Sequence, residues 1–497
     1  MKKEITEVIY QDQRVAEEFC NFKCDYCEGF CPSEYNLATD KNGNLKLPEQ
    51  WYSNMNNYTE KITKYFDPKR NLDSFYKLFL DALEKTKEVL NTDILKVSGG
   101  EITLNRNLIE YVKKIHNNYS KIQILTNGFL LSKDVINECK KMENICFQVS
   151  IDGIDYKSNY TKSHFENVTN RVIENIDYMV ECGLGVEINC VLTKYNIDYF
   201  EKFLQKYKNA DNFIIIPRPV RGLPKEVLNF DKIQIEKFEK MINYNYNQYK
   251  DIIPSRKYFE RLINIMKNDI RAYKCYIPYF VQSIDGYGNF EDCPIGLITD
   301  TKFNVLEDNN CQINKKIFDN PKLCKNCTNQ YEMFNLYVED KIDENDLKKI
   351  PSLNSNIIIA HIQKIKKEIV MEELKKMGYE IYNFLEKSQP YIYTAGPSEF
   401  IYLISHAQLI LTDSFHACVF SFIFNKPFVV YDRKGTQCSM NSRIETLLKK
   451  FDLERKYANS NLENDIWEHN YEKGYEQLEL ERTKVLDFLR KALNVDM

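Results

Sequence analysis

The sequence lacks the long apolar runs and the one-sided charge that mark membrane-spanning and nucleic-acid-binding proteins. Its 497 residues include 68 basic and 72 acidic side chains, which gives a net charge of -4, and no long run of one sign stands out. The most apolar segments, 401–411 and 418–431, contain polar residues and are shorter than the ~20 residues of a membrane span. Neither nucleic acid nor a membrane span is therefore indicated.

The amino terminus also lacks an apolar stretch of signal-peptide length, since its two lysines are followed by acidic residues. No internal repeat or low-complexity tract is visible. A chain of this length that is 43% hydrophobic suffices for two to four domains of roughly 100–200 residues. We expect a globular, multidomain, cytoplasmic protein.

Cysteine is abundant by contrast, and its odd number, 15, fits a disulfide framework poorly. Several cysteines fall in groups at 20–31, at 275 and 293, and at 324 and 327. The others are scattered through helix-like or strand-like segments, where we expect small buried hydrophobic residues: Cys139, Cys146, Cys182, Cys190, Cys418 and Cys438. The groups indicate metal binding instead.

An alternation of β-rich and amphipathic stretches runs from about residue 93 to 216 and predicts βαβ units. Such units form a parallel sheet, and right-handed crossovers curl it toward a partial (β/α)6 TIM-like barrel, predicted over 1–225. The segments GGE, TNG and SIDG each follow a predicted strand. We expect them to gather at the carboxyl ends of the strands, where this fold class places its chemistry.

The rest of the chain is predicted to contain two further domains. Two helices and a turn-rich, cysteine-bearing module are expected over 226–338, followed by a charged linker over 339–353. A doubly wound, Rossmann-like α/β domain is expected over 354–497. Its predicted strands are NIIIAHI, KKMGYEIYNFL, AQLILTD and KPFVVYD, and a charged helix ends it.

The first cysteine group has the spacing CX3CX2C, formed by Cys20, Cys24 and Cys27. Thiolates are the soft ligands that iron-sulfur clusters use. Three ligands leave one iron of a [4Fe-4S] cluster open, and an open iron is able to chelate a small molecule. The alternative is a structural zinc site, which usually takes four ligands in CX2C pairs.

This spacing, with Tyr26 before the last cysteine, resembles the signature of radical S-adenosylmethionine (SAM) enzymes. The resemblance implies a [4Fe-4S] cluster that receives an electron from an external donor such as flavodoxin or ferredoxin. It also implies reductive cleavage of SAM to a 5'-deoxyadenosyl radical, which abstracts hydrogen from a substrate.

Later motifs agree with this resemblance. Gly99, Gly100 and Glu101 are similar to the family's GGE, whose backbone and carboxylate contact the methionine amino group. The resemblance also assigns a set of residues on the following strands to the ribose, the carboxylate and the adenine of SAM: Thr126, Asn127, Ser150, Asp152 and Asn189.

The chain departs from the family in one place. Relatives often have an arginine soon after the SIDG strand, whereas this chain reads YKSNYTKSHFENV, so the partner of the SAM carboxylate is not identified by the motif. Cys31 is interpreted as a loop residue, because a fourth ligand would close the open iron.

A second group of cysteines resembles the short "twitch" form of the SPASM auxiliary-cluster module. The resemblance implies an auxiliary [4Fe-4S] cluster held by Cys275, Cys293, Cys324 and Cys327, with Cys311 as a substitute for one of them. A zinc knuckle is the alternative. Such a cluster would accept an electron from a substrate radical or would only order the module.

Residues 392–457 resemble the carboxyl-terminal half of polysaccharide pyruvyl transferases, with TDSFH after a strand and NKPFVVY further on. The resemblance places His416 at a strand-to-helix turn near a phosphoenolpyruvate or nucleotide donor, beside Asp413 and Ser414. Some relatives have arginine at the position of Ser414, a role open here to Arg433 and Arg443. The alternative is a histidine with a structural hydrogen bond only.

Together these resemblances give two substrate hypotheses. The first is oxidation or epimerisation of a sugar or nucleotide-sugar in cell-surface polysaccharide biosynthesis. The second is a peptide-modifying maturase, in which the carboxyl-terminal domain is a binding module or a pyruvyl or glycan transferase half-domain.

Overall fold

A computed structural model of the chain divides into two compact units, Met1–Leu336 with Asn345–Lys366, and Tyr337–Glu344 with Lys367–Met497. The residues that the structure describes are 3–5, 7–10, 22, 24–26, 38–39, 45–46, 72–99, 101–104, 108–221, 225–271, 273–284, 288, 290–291, 303–307, 327, 331–385, 387, 389–431, 441–457, 467 and 469–493.

The first unit is built on strands. In chain order they are β1 (Lys3–Glu4), β2 (Glu7–Tyr10), β3 (Ala38–Thr39), β4 (Leu45–Lys46), β5 (Leu90–Asn91), β6 (Ile94–Val97), β7 (Lys121–Thr126), β8 (Ile145–Ser150), β9 (Gly185–Leu192), β10 (Phe213–Pro219), β11 (Val281–Ile284) and β12 (Phe290–Glu291).

Eight of these strands form one sheet in the order β10-β9-β8-β7-β6-β2-β11-β12. Neighbouring strands are parallel except for β11 and β12, which are antiparallel. Within the described residues, no pairing joins β10 to β12, so the sheet is open. The predicted α/β fold with a parallel sheet, in the manner of a partial barrel, is therefore confirmed.

The helices described as far as residue 348 are α1 (Leu72–Val89), α2 (Leu108–Ile115), α3 (Lys133–Lys140), α4 (Glu166–Glu181), α5 (Phe200–Tyr207), α6 (Lys225–Leu228), α7 (Lys232–Tyr249), α8 (Arg256–Asn268), α9 (Ile277–Phe280), α10 (Glu332–Val338) and α11 (Glu344–Lys348). Short 3-10 turns cover Ile102–Leu104, His116–Asn118 and Ile197–Tyr199.

Local sequence explains several helix ends. Helix α7 begins with a capping box: the Asp231 side chain accepts from the backbone N–H of Gln234, and the Gln234 side chain accepts from that of Asp231. Ser255 caps α8, which ends at Asp269 in the left-handed conformation. The two helices expected over 226–272 are therefore confirmed.

The elements that follow are α12 (Asn356–Lys376), α13 (Pro390–Tyr393), α14 (Pro397–His406), β13 (Ile410–Thr412), α15 (Phe415–Ile423), β14 (Phe428–Val430), α16 (Asn441–Lys450), the 3-10 turn Glu454–Lys456 and α17 (Glu472–Leu493). Strands β13 and β14 are parallel. Cys418, Phe422, Phe428, Ile444 and Leu448 are among the residues of the core around them.

Two of the four strands predicted after residue 354 are present, AQLILTD as β13 and KPFVVYD as β14. The predictions for NIIIAHI and KKMGYEIYNFL are wrong. NIIIAHI opens α12, in which Ile358, Ile362 and Ile365 are buried. The local run of β-branched residues is typical of a strand, but the apolar positions recur with the spacing of a helix.

The segment predicted as a linker, 339–353, has structure of its own. It contains the whole of α11, and Leu347, Ile350 and Leu353 are buried. The backbone N–H of Ser352 donates to Oε1 of Glu187 on β9 at 2.7 Å. Residues 345–366 belong to the first compact unit. Among the described helices, none is long and apolar enough to cross a membrane.

Two glycines in the left-handed region provide a matched test of packing at the end of β7. Gly128 has φ +77, and a Cβ there would lie 2.9 Å from Cγ1 of Val149, whereas Gly183 has φ +73 and open space around it. We expect Gly183→Ala to lower the free energy of unfolding by about 1 kcal/mol, the cost of a Cβ in this conformation. Gly128→Ala should cost about 1–3 kcal/mol more through overpacking.

Chemical denaturation of both variants measures the difference. Equal losses for the two substitutions would contradict the close packing of Gly128 against β8.

Candidate active site

The predicted cofactor residues lie at the ends of neighbouring strands. Glu101 follows β6, Thr126 ends β7 with Asn127 directly after it, and Ser150 ends β8. Asp152 comes two residues later. Because β6, β7 and β8 are parallel neighbours, these residues share one edge of the sheet. Gly99, with φ +121, belongs to the same edge, and Gly100 lies outside the described residues.

The Glu101 carboxylate accepts most of the side-chain hydrogen bonds described between the ends of β6 and β7. Its Oε1 accepts hydrogen bonds from the Thr126 hydroxyl at 2.6 Å, the Thr103 backbone N–H at 3.1 Å and the Thr103 hydroxyl, and its Oε2 accepts from the backbone N–H of Asn127 at 2.6 Å. Burial raises the pKa of Glu101, and these hydrogen bonds oppose the shift. The carboxylate thus joins the ends of β6 and β7.

Asp152 is the second buried carboxylate at the edge. The hydroxyl of Tyr26 donates to its Oδ2 at 2.5 Å, and the backbone N–H of Val191 donates to its Oδ1 at 2.9 Å. Burial raises the pKa of Asp152, while the charge of Lys162 opposes the shift. Asp152 therefore connects the cysteine-bearing segment to β9.

The loop after β8 braces that cysteine-bearing segment. The backbone N–H of Asp25 donates to the Thr161 carbonyl at 2.9 Å, and Nε2 of His164 lies 2.8 Å from Oδ1 of Asp25. This contact raises the pKa of His164. Cys24 is partly exposed, and Cys20 and Cys27 lie outside the described residues.

Two cations at this edge were not predicted. Lys162 lies on the loop after β8, with Nζ 5.6 Å from the centroid of the Tyr26 ring. Nε of Arg218, on β10, donates to Oδ1 of Asn189 at 2.8 Å. The sequence does contain lysines where relatives have arginine, but spacing alone does not distinguish Lys157 from Lys162.

The second cysteine group is described only in part. Cys275 and Cys327 are buried, while Cys293 and Cys324 lie outside the described residues, as does Cys311. Among the residues that are described, no three His, Cys, Asp or Glu side chains form a group able to hold a metal. The predicted four-cysteine site stays a prediction.

In the second unit, His416 is exposed in the first turn of α15. The Ser414 side chain caps this helix by accepting from the backbone N–H of Ala417 at 3.5 Å. The guanidinium carbon of Arg443 lies 4.7 Å from the ring centroid of Phe415. Asp413 precedes the cap, and Arg433 lies outside the described residues.

The contribution of the Glu101 carboxylate to stability is testable by removing its charge at nearly constant side-chain volume. In Glu101→Gln, an amide NH2 replaces one oxygen, so one backbone N–H loses its acceptor. We expect a loss of about 1–3 kcal/mol in the free energy of unfolding. Chemical denaturation measures it, with Glu138→Gln as the control.

The Glu138 carboxylate lies at the surface, where Lys113 and Lys141 contact it, so its substitution should cost much less. A loss in Glu101→Gln no larger than that in the control would mean that the buried hydrogen bonds do not stabilise the strand ends.

Two regions of the chain match models of known protein families. Residues 18–207 match the radical SAM superfamily, and residues 295–435 match the polysaccharide pyruvyl transferase family. The second match begins inside the predicted cysteine-bearing module, so the two interpretations overlap over 295–338.

The curated relatives include GTP 3',8-cyclases. The protein from Campylobacter jejuni subsp. doylei is 29% identical over 177 residues, which cover 35% of this chain and 44% of the relative. The protein from Staphylococcus epidermidis is 28% identical over 202 residues, which cover 39% of this chain and 48% of the relative. The match thus spans less than half the length of these relatives.

Solved structures give similar matches. Streptococcus suis SuiB bound to S-adenosylmethionine has a TM-score of 0.42 at 15% identity and covers 62% of this chain and 64% of SuiB. Native anSMEcpe with bound AdoMet has a TM-score of 0.41 at 15% identity and covers 76% of this chain and 100% of anSMEcpe. The two family matches alone identify a radical SAM domain over 18–207 and a polysaccharide pyruvyl transferase domain over 295–435.

Proposed function

We propose that this enzyme binds SAM at the carboxyl edge of the first sheet, beside a [4Fe-4S] cluster on Cys20, Cys24 and Cys27, and acts on a sugar or nucleotide-sugar of a cell-surface polysaccharide. The observation that carries the SAM site is the buried carboxylate of Glu101 at the joined ends of β6 and β7. A radical SAM domain implies the enzyme class, the cluster and SAM. The residue roles and the substrate are the proposal.

The residues at the carboxyl edge of the first sheet fit both the [4Fe-4S] cluster and SAM. Three thiolates are the soft donors that an iron-sulfur cluster takes. A carboxylate has about four acceptor positions. Three protein donors occupy Oε1 of Glu101 and one occupies Oε2. Oε2 therefore retains acceptor capacity for an ammonium group such as that of the SAM methionine.

Lys162 supplies the cation that the family's arginine would otherwise provide. Its charge acts on Asp152, and its Nζ lies 5.6 Å from the Tyr26 ring centroid. Tyr26 belongs to the segment that contains Cys24, and Asp152 contacts that segment through Tyr26. We therefore assign the carboxylate of SAM to Lys162, with Ser150 and Asn127 on the neighbouring strand ends as its polar surroundings.

The bound cluster and SAM together supply 5'-deoxyadenosyl radical chemistry, for which an external donor such as flavodoxin or ferredoxin provides the electron. The protein's own groups orient the reactants. Hydrogen abstraction needs one substrate C–H bond held close to the radical carbon and water kept away. Strand ends fixed by buried hydrogen bonds suit that task, because they hold bound groups in one geometry.

Two observations favour a nucleotide-linked sugar as substrate. The pyruvyl transferase match names polysaccharide as the context, and the matched relatives are named for GTP, a nucleotide. Arg218, beside Asn189, adds a cation suited to a phosphate group. The expected net reaction is oxidation or epimerisation of a sugar carbon.

The auxiliary site belongs to this proposal. Cys275 and Cys327 are both buried in the first unit, and with Cys293 and Cys324 they would make a four-thiolate site. A redox-active cluster there would accept one electron from the substrate radical, so that the substrate is oxidised by two electrons overall. Zinc in place of iron would make the site structural.

The second unit is proposed to bind the glycan or nucleotide part of the substrate rather than to transfer pyruvyl groups. Its exposed His416, at the first turn of α15, lies where backbone N–H groups favour an anion. A His416→Ala variant that retains radical chemistry but binds nucleotide-sugar more weakly would agree with this role.

The substrate class is tested by anaerobic reconstitution of the full chain with iron, sulfide, SAM and a reductant. We expect 5'-deoxyadenosine formation to rise when nucleotide-sugars are added, because bound substrate aligns the C–H bond. Chromatography with mass spectrometry measures 5'-deoxyadenosine and the modified nucleotide-sugar. Cys24→Ala is the control and should abolish formation. Turnover with a small peptide alone would overturn the glycan hypothesis and support the peptide maturase.

The role of Lys162 is tested on SAM binding itself. Lys162→Gln should raise the Kd for SAM about tenfold, or about 1.4 kcal/mol, since a charge-assisted contact to the carboxylate is lost. Isothermal titration calorimetry of the reconstituted protein measures it. Lys157→Gln, on the same loop but exposed, should leave the Kd unchanged. An equal effect of both substitutions would remove Lys162 from the site.

A further inference from the structure

We propose that Gln123 on β7 and Ser283 on β11, which share a face of the sheet with Ser150 and Asn189, bind hydroxyl groups of the hexose of the substrate. The inference rests on the proposed function, because it assumes a nucleotide-sugar at this sheet. It adds two binding residues and an orientation, in which the hexose points into the face of the sheet and the phosphates stay at the carboxyl edge.

Strand pairing places Gln123 on the same face as the proposed SAM residues. Residues paired between parallel strands point to the same side, and side chains alternate along each strand. Ser150 is paired with Asn189, and Gln123 is paired with Cys146, which comes four residues before Ser150 on β8. These side chains therefore share one face, which we call the inner face.

A row of paired residues continues the inner face from Gln123 to Ser283. Gln123 is paired with Lys96 on β6, Lys96 with Ile9 on β2, and Ile9 with Ser283 on β11. The other face of the sheet is covered by a helix, since a Cβ on Gly128 would contact both Val149 on β8 and Val172 on α4. Gln123 and Ser283 thus point away from that helix.

Two segments cover the inner face. The hydroxyl of Tyr331 donates to Glu7 on β2, and Nζ of Lys96 lies 4.6 Å from the centroid of the Tyr331 ring. At the other side of the sheet, the backbone N–H of Ser352 donates to Oε1 of Glu187 on β9 at 2.7 Å. Both carboxylates are buried on the inner face. The side chains between these two covers are therefore enclosed.

The polar atoms of Gln123 and Ser283 are enclosed without a protein partner. Both residues are 0% exposed, and among the residues that the structure describes, neither the Oε1 and Nε2 of Gln123 nor the Oγ of Ser283 has a hydrogen-bond partner. Buried polar groups are nearly always hydrogen-bonded, and an unsatisfied one lowers stability. Such groups are expected where a bound ligand supplies the missing partners.

The chemistry of the inner face favours a neutral, hydroxyl-bearing group. An amide and a hydroxyl each donate and accept hydrogen bonds, as the hydroxyl groups of a hexose do. Glu7 and Glu187 place two carboxylates on this face, and the single ammonium of Lys96 is ion-paired with Glu7 at 3.2 Å. A phosphate would be repelled there, so Arg218 at the carboxyl edge is the better partner for it.

The test compares stability and binding in the full chain, reconstituted and loaded with SAM. Gln123→Met replaces the amide with an apolar group of similar size, so the protein without substrate should unfold about 2–4 °C higher. Its Kd for a nucleotide-sugar should rise about tenfold or more, because the hydrogen bonds to the hexose are lost. Thermal unfolding and isothermal titration calorimetry with UDP-glucose, UDP-N-acetylglucosamine and GDP-mannose measure the two effects.

Two further variants control for general damage. Gln282 is also buried on β11 but lies on the other face, and its Nε2 donates to the Ser283 carbonyl at 3.1 Å. Gln282→Met should therefore lower the unfolding temperature and leave the Kd unchanged. Ser283→Ala removes one hydroxyl and should raise the Kd by a smaller factor than Gln123→Met. If Gln123→Met does not fold, Ser283→Ala against Gln282→Met decides.

The outcomes separate the inference from the proposed function. Binding of none of the three nucleotide-sugars to the parent protein would overturn the proposed substrate and the inference with it. Binding that Gln123→Met and Ser283→Ala leave unchanged would overturn the inference alone. A lower unfolding temperature of Gln123→Met without substrate would do the same, because the amide would then be hydrogen-bonded within the protein. An equal loss of affinity for UDP and GDP, which lack the hexose, would also exclude the proposed contact.

Discussion

The buried carboxylate of Glu101 is the interaction on which the candidate site depends. A carboxylate removed from water is costly unless hydrogen bonds replace its hydration. Here donors from Thr103, Thr126 and Asn127 replace it. Because those donors lie at the end of β7 and on the turn after β6, the carboxylate has all its hydrogen bonds only when both strand ends are in register. The register of β6 and β7 and the position of the buried carboxylate thus depend on each other.

Buried carboxylates with partners distant in sequence also occur elsewhere in the first unit. Glu7, on β2, is ion-paired with Lys96 on β6 at 3.2 Å and accepts from the hydroxyl of Tyr331. Glu332 is paired with Arg261 in the same way. In each case a buried charge joins segments that are distant in sequence, and removal of one partner would leave an uncompensated charge. This arrangement favours one geometry for the elements that lead into each cysteine group.

The strand pattern and the motifs predicted the edge of the sheet because both are local. GGE, TNG and SIDG follow apolar runs of strand length, so parallel pairing brings them together. Lys162 and Arg218 were missed because their contacts, with Tyr26 and Asn189, depend on folding. NIIIAHI was predicted wrongly because a short apolar run does not distinguish a strand from a buried helix; only the later positions of α12 reveal the helical period.

The residues around Glu332 bear on the overlap of the two interpretations at 295–338. Asn335 and Arg261 connect α10 to the Cys275 segment and to α8, and both lie in the first compact unit. The structure thus places Cys327 in the same compact unit as the radical SAM match, whereas β13 and β14 lie in the second unit.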